Sequence, residues 1–104
     1  MAQFDIFENP NDKTDRRVPY LLDIQSDLLA DLATRVVIPL LDAGAAGQPI
    51  KGLNPRFTVK GAEVIMSTQE LAGVPRKALG PLAGSLKDRR DEIIAAVDFL
   101  INGF

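Results

Sequence analysis

The sequence predicts an α+β protein whose sheet is mostly antiparallel. Three observations carry that prediction. Short runs that alternate apolar and polar residues recur from Gln3 to Ser67, the period of half-buried strands. Clusters of Asn, Asp, Pro and Gly punctuate those runs as turns. The one long helical pattern comes last. Ile93, Ile94, Val97, Leu100, Ile101 and Phe104 fall at steps of one, three and four, which gathers them on one helix face. Strands first and a helix last is an α+β order.

The elements follow in turn. Phe4 and Ile6 alternate with Gln3 and Asp5 as a first strand, ended by Asn9-Pro10-Asn11-Asp12. Lys13 to Arg17 is a solvated loop or a frayed hairpin arm. Val18 to Gln25 is a second strand, with Tyr20, Leu22 and Ile24 on one face and Leu21, Asp23 and Gln25 on the other. Pro19 marks it as an edge or a strand beginning. Ser26 to Thr34 is open between two forms. One is a short helix capped by Ser26, with Leu28, Leu29 and Leu32 as its stripe; the other is a wide loop that exposes Leu28 and Leu29. Arg35 to Leu41, with Val36, Val37 and Ile38, is the most β-rich run and belongs in the middle of a sheet. Pro39 has no N–H, so a bulge or the strand's end is expected there.

Asp42 to Pro55 carries Gly44, Gly47, Gly52, Pro49 and Pro55 and reads as a long loop. Arg56 to Lys60 and Glu63 to Ser67 form a hairpin, turned by Gly61 at positive φ. Ala72 to Pro75 is a short extended segment. Pro75 and Pro81 bracket a helical turn around Lys77 to Leu79, and Gly84 precedes the last helix. That helix is expected from Ser85, its N-cap, with Asp88 three residues on as a near-capping box. Asp88, Asp91 and Glu92 put negative charge where the helix dipole favours it.

Composition narrows the function classes. A chain of 104 residues is one domain with one modest core. With 12 basic and 14 acidic residues, net −2, nothing in the overall charge favours nucleic acid. Cysteine and histidine are both absent. That excludes disulfides, thiolate or imidazole metal sites, and Ser–His or Cys–His catalysis. No metal or other cofactor is expected. No apolar run approaches the roughly 20 residues that span a bilayer. The opening Met1 to Asp5 lacks the basic and apolar regions of a signal peptide, so a cytoplasmic location is expected.

The basic pairs Arg16-Arg17, Arg76-Lys77 and Arg89-Arg90 read as solvated faces. Asp23 and Asp27, with Ser26 between them, read as a turn and a cap. No Gly-rich phosphate loop is present. The residues themselves therefore describe a small domain that is not an enzyme.

An ordered set of segments adds to this. Gln3-Phe4, Asp23-Ile24-Gln25-Ser26-Asp27, Arg35-Val36-Val37-Ile38-Pro39-Leu40 and Ala72-Gly73-Val74-Pro75 before the last helix resemble the CcdB family, the toxins of CcdA–CcdB toxin–antitoxin modules. The resemblance runs from Gln3 to Phe104 and is poorest over Asp42 to Asn54. It implies an SH3-like barrel of mostly antiparallel strands with a small extra sheet and a C-terminal α-helix. It implies a homodimer; the many apolar residues of the last helix put Ile101 and its neighbours near such an interface. It implies a poison that binds the DNA gyrase A subunit and traps the cleaved gyrase–DNA complex. A cognate CcdA-like antitoxin would neutralise it, and operator DNA would be met only through the toxin–antitoxin complex.

Carried over residue by residue, the gyrase-binding positions are Asn102, Gly103 and Phe104, where the family has Trp-Gly-Ile. The glycine is kept, the last apolar residue is larger, and the tryptophan is gone; the chain contains none. Leu28, Leu29, Asp98 and Ile101 match antitoxin-binding positions. Two other readings stand beside this one. The first is a family member that keeps dimer and antitoxin but poisons gyrase weakly or not at all. The second is a ribonuclease of related fold, like the MazF and Kid toxins.

Overall fold

The computed structural model describes residues 1–103. Seven strands form one antiparallel sheet: β1 (Asp5–Glu8), β2 (Tyr20–Asp23), β3 (Thr34–Asp42), β4 (Arg56–Val59), β5 (Ala62–Met66), β6 (Ala72–Pro75) and β7 (Leu82–Ser85). Their order across the sheet is β4-β5-β3-β2-β1-β7. The sheet curls into a half-barrel closed by the single helix α1 (Arg90–Asn102), an α+β fold. The small addition expected beside the barrel is continuous with it, since β6 joins β3 off the main path.

The core lies between the curled sheet and α1. Ile6, Leu22, Ile38, Leu40, Phe57, Val59, Val64 and Met66 point inward from five strands, and Leu86, Ile93 and Ala96 close over them. Burying a side chain of this kind contributes about 1.5–3 kcal/mol. Phe7, Val37, Leu41 and Ile65 are also buried, outside that cluster. The helix is seated partly by cations. The Arg89 guanidinium lies 4.8 Å from the Phe57 ring centroid and that of Arg90 lies 5.4 Å from the Phe4 ring. The Arg89-Arg90 pair is thus more than a solvated face.

Central β3 extends one residue beyond the expected Arg35 to Leu41 at each end, and it runs through Pro39 with neither the bulge nor the strand end expected there. Its register explains why. One edge of β3 pairs with β2 at Val37–Leu40, without a break at Pro39, while the other takes β6 at Thr34–Val37 and β5 at Leu40–Asp42. Pro39 falls between those two partners. Its carbonyl accepts from the Ser67 N–H on that same edge at 2.9 Å, so the missing donor faces a gap in the pairing.

Other boundaries move for local reasons. Phe4 has φ 69, a left-handed conformation that interrupts extension, so the first strand begins at Asp5 and not at Gln3. Strand β7 falls where the sequence suggests only a lead into the helix. Leu-Ala-Gly-Ser has no alternation to announce it; its pairing with β1, with a register shift between Ile6 and Phe7, makes it a strand. Ser85 is accordingly the last residue of β7 and not the helix N-cap. Its Oγ accepts from the Lys87 N–H at 3.2 Å, a 3-10 turn spans Lys87–Arg89, and α1 starts at Arg90 with no side-chain cap. The near-capping box with Asp88 therefore does not form.

The Arg56–Ser67 hairpin forms as expected, its two-residue turn Lys60-Gly61 holding φ of 51 and 80. The turn between the two prolines is a 3-10 turn at Arg76–Ala78. Beyond it, Gly80 meets β1 so closely that a Cβ there would sit 2.6 Å from the Glu8 carbonyl oxygen. The Asp42 to Pro55 loop is pinned by Asn54, whose Oδ1 accepts from Ile50 N–H and whose Nδ2 donates to the Met66 carbonyl, both at 3.0 Å. No helix among the described residues is long and apolar enough to cross a membrane.

Candidate partner-binding surfaces

The first surface is built where β2 leaves the sheet. An antiparallel pair normally exchanges two backbone bonds. At Ile24 and Val36 only one is made, from the Ile24 N–H to the Val36 carbonyl at 3.0 Å. Side chains take the other two groups. The Val36 N–H donates to Gln25 Oε1 at 3.0 Å, and Gln3 Nε2 donates to the Ile24 carbonyl at 3.2 Å. The chain then turns out into a single 3-10 turn, Asp27–Leu29. Ser26 Oγ accepts from the Leu28 N–H at 3.2 Å, and Asp27 Oδ1 accepts from the Gln3 N–H at 2.8 Å. The turn-and-cap reading of Ser26 and Asp27 holds. Of the two forms open from the sequence, the chain combines parts of both: a capped turn that exposes Leu28 to 95% and Leu29 to 50%.

Beneath the turn lies an ion pair that sequence reasoning missed. Asp23 Oδ2 sits 2.6 Å from Arg35 Nη2 and accepts from Arg35 Nε at 2.9 Å, with both side chains fully buried. Asp23 Oδ1 accepts from the Gln25 N–H at 3.0 Å. A signal existed. A β2–β3 pairing that sets Asp23 opposite Val37 puts Arg35 diagonally next to it on the same face.

The second surface is on α1. Ile93 and Ala96 face the core, while Ile94, Asp98 and Ile101, at steps of four and three, stand exposed beside them. Ile101 is 72% exposed. Gln3 links the two regions, since Arg90 Nη1 donates to Gln3 Oε1 at 3.1 Å. Asp98 and Ile101 lie further along the helix, roughly 12 and 17 Å from Arg90 at the α-helical rise. Among the described residues no hydrogen bond or ion pair joins the 26–29 turn to either. One chain therefore carries Leu28 with Leu29, and Asp98 with Ile101, as two separate patches.

The third is the end of α1. Asn102 is its last residue, and Gly103 caps it at φ 79, its N–H donating to the Phe99 carbonyl at 2.9 Å. Both are exposed, and a Cβ at Gly103 would meet nothing within 4 Å. The positive φ, and not crowding, is what suits glycine here. Phe104, the third expected gyrase-binding residue, lies outside the described residues.

Chemistry-bearing groups are few. Among the described residues no cluster of carboxylates could hold a metal ion. A polar cleft between residues 46–49 and 67–70 brings Arg17 to 3.5 Å from Glu70, whose Oε1 also accepts from Ser67 Oγ at 2.8 Å. That carboxylate oxygen is already engaged by two donors.

A curled antiparallel half-barrel with one closing helix defines a small α+β domain, and its exposed leucine and isoleucine side chains stand on fixed elements. A family model described as CcdB protein matches residues 3–103 of this chain. The chain belongs to the CcdB family, and is a toxin of the toxin–antitoxin class. No curated protein matches it.

Proposed function

We propose that this toxin acts by binding the DNA gyrase A subunit and trapping the cleaved gyrase–DNA complex, without catalysis of its own. The observation that carries the reading is the projecting end of α1. Asn102, the last residue of α1, and Gly103, its cap, are exposed, and among the described residues nothing lies within 4 Å of where a Gly103 Cβ would stand. Those positions, with Phe104, match the family's gyrase-reading triplet. Phe104 supplies an apolar anchor, while Asn102 offers hydrogen bonds where the family has a stacking surface. Loss of a hot-spot side chain costs about 2 kcal/mol or more, roughly a thirtyfold weakening. Trapping is accordingly weaker than a tryptophan at this position would give; the alternative is a family member that keeps the dimer and the antitoxin partnership with little or no poisoning.

A cognate CcdA-like antitoxin neutralises the toxin through Leu28 and Leu29 on the turn and Asp98 and Ile101 on the helix. Its disordered tail folds on these apolar patches. The toxin works as a homodimer in the cytoplasm, and operator DNA is met only through the toxin–antitoxin complex.

The test is a cleavage assay with purified toxin, gyrase and supercoiled DNA. Native toxin yields little linear DNA, and Asn102→Trp yields clearly more. A null result for both proteins sinks the gyrase reading. Incubation with RNA tests the ribonuclease alternative, and discrete cleavage products there would replace the gyrase reading altogether.

A further inference from the structure

We infer that Gln25 is a positioning residue for antitoxin recognition: its side chain ends the β2–β3 ladder and fixes the Leu28–Leu29 turn in the shape a partner reads. This rests on the proposal that the turn meets the antitoxin.

At Ile24 and Val36 one of the two backbone bonds of the ladder is missing. The Gln25 amide stands in its place. Oε1 takes the Val36 N–H at 3.0 Å, and Nε2 donates to the Leu29 carbonyl at 2.7 Å. One side chain thus replaces a rung of the ladder and closes the turn that follows. A primary amide suits both tasks because it accepts and donates at once. Glutamate lacks the donor, and methionine, of similar length, lacks both. Gln25 is itself buried, so water competes little for these bonds. Its own N–H is held by Asp23, which Arg35 holds in turn. The support therefore runs from β3 through Arg35, Asp23 and Gln25 to the carbonyl of Leu29.

At the end of this support stands Leu28, almost fully exposed. Nothing in the core needs that side chain; its fixed display suits a peptide segment bearing apolar side chains of its own. A turn ordered before binding spares the partner the cost of ordering it.

The probe is the product of the antitoxin gene paired with this toxin, purified at full length and titrated by calorimetry. Gln25→Met should weaken its binding about tenfold, the scale set by immobilising two side chains on association. The dimer mass should stay unchanged, and the melting temperature should fall by some degrees, because the Val36 N–H and the Leu29 carbonyl lose their partner. Faster amide exchange at Val36 should accompany the loss. Gln25→Glu keeps the Val36 acceptor and should fall between native and Gln25→Met. If Gln25→Met does not fold, Gln25→Glu decides on the same terms.

Native affinity in these variants, while Leu28→Asp with Leu29→Asp loses binding, overturns the role given to Gln25 and leaves the surface standing. Native affinity in the leucine variant as well overturns both.

Discussion

The buried pair beneath the turn makes the most demanding prediction. Asp23→Asn keeps the shape and leaves an oxygen for the Gln25 N–H, but removes the charge that faces Arg35. Both side chains are fully shielded from solvent, so the guanidinium has no water to turn to. Two of its nitrogens, Nη1 and Nη2, already lack a hydrogen bond of good geometry. Breaking a buried pair from one side costs about 3–5 kcal/mol, because an uncompensated charge stays inside. Total stability for a domain is of order 5–15 kcal/mol. At roughly 4 °C or more per kcal/mol for a chain near this size, the melting temperature should fall by at least ~12 °C. Adding Arg35→Met removes the stranded charge and should recover most of the loss. The assay is urea and thermal unfolding followed by circular dichroism, at one fixed protein concentration because a dimer's stability depends on it. A drop below ~4 °C for Asp23→Asn alone, or a double variant no better than the single, would refute the reasoning.

Three further outcomes are expected. Gly80→Ala should lower stability by about 1–3 kcal/mol, since a Cβ placed 2.6 Å from the Glu8 carbonyl forces β1 or the loop to move; denaturant midpoints will read it. Light scattering at micromolar concentration should give a dimer mass, and Ile101→Asp should reduce it while the circular dichroism spectrum is kept; a native chain that stays monomeric rules the dimer out. Deleting residues 102–104 should abolish gyrase trapping yet cost only about 0.5–1.5 kcal/mol for the Gly103 cap bond. A fall of many degrees in the melting temperature would instead show that the end of the chain packs on the core.

How much was legible in the sequence follows from what each element depends on. The hairpin at Phe57 to Met66 announces itself through side-chain period, because its inner face is core, and the central strand at Val36 to Ile38 through its run of β-branched residues. Pro39 was legible as a missing donor, but its consequence depended on which strands share an edge of β3, a non-local fact. Strand β7 has no side-chain pattern, since its pairing with β1 is a backbone matter. Ser85 has the chemistry of a helix cap and was spent on the turn before the helix. Around the candidate surfaces, the turn and cap at Ser26 and Asp27 were local and readable. Arg35 was hidden inside an apolar run, where its partner Asp23 becomes visible only once the register is known.

The gap at Pro39 divides one side of β3 into two short docking sites of different standing. A single strand running the full length of that side would meet a position with no donor midway, so β5 and β6 need not rise or fall together. β5 is also held by β4, whereas among the described residues β6 has β3 as its one strand partner. The β6 segment can therefore lift away as a separate unit while the hairpin stays in place. Amide exchange should show it as two protection classes along the same strand. The Arg35 to Val37 end of β3 would open at lower free energy than the Leu40 to Asp42 end, and a chain that looks like one continuous sheet would breathe at only one end of its longest strand.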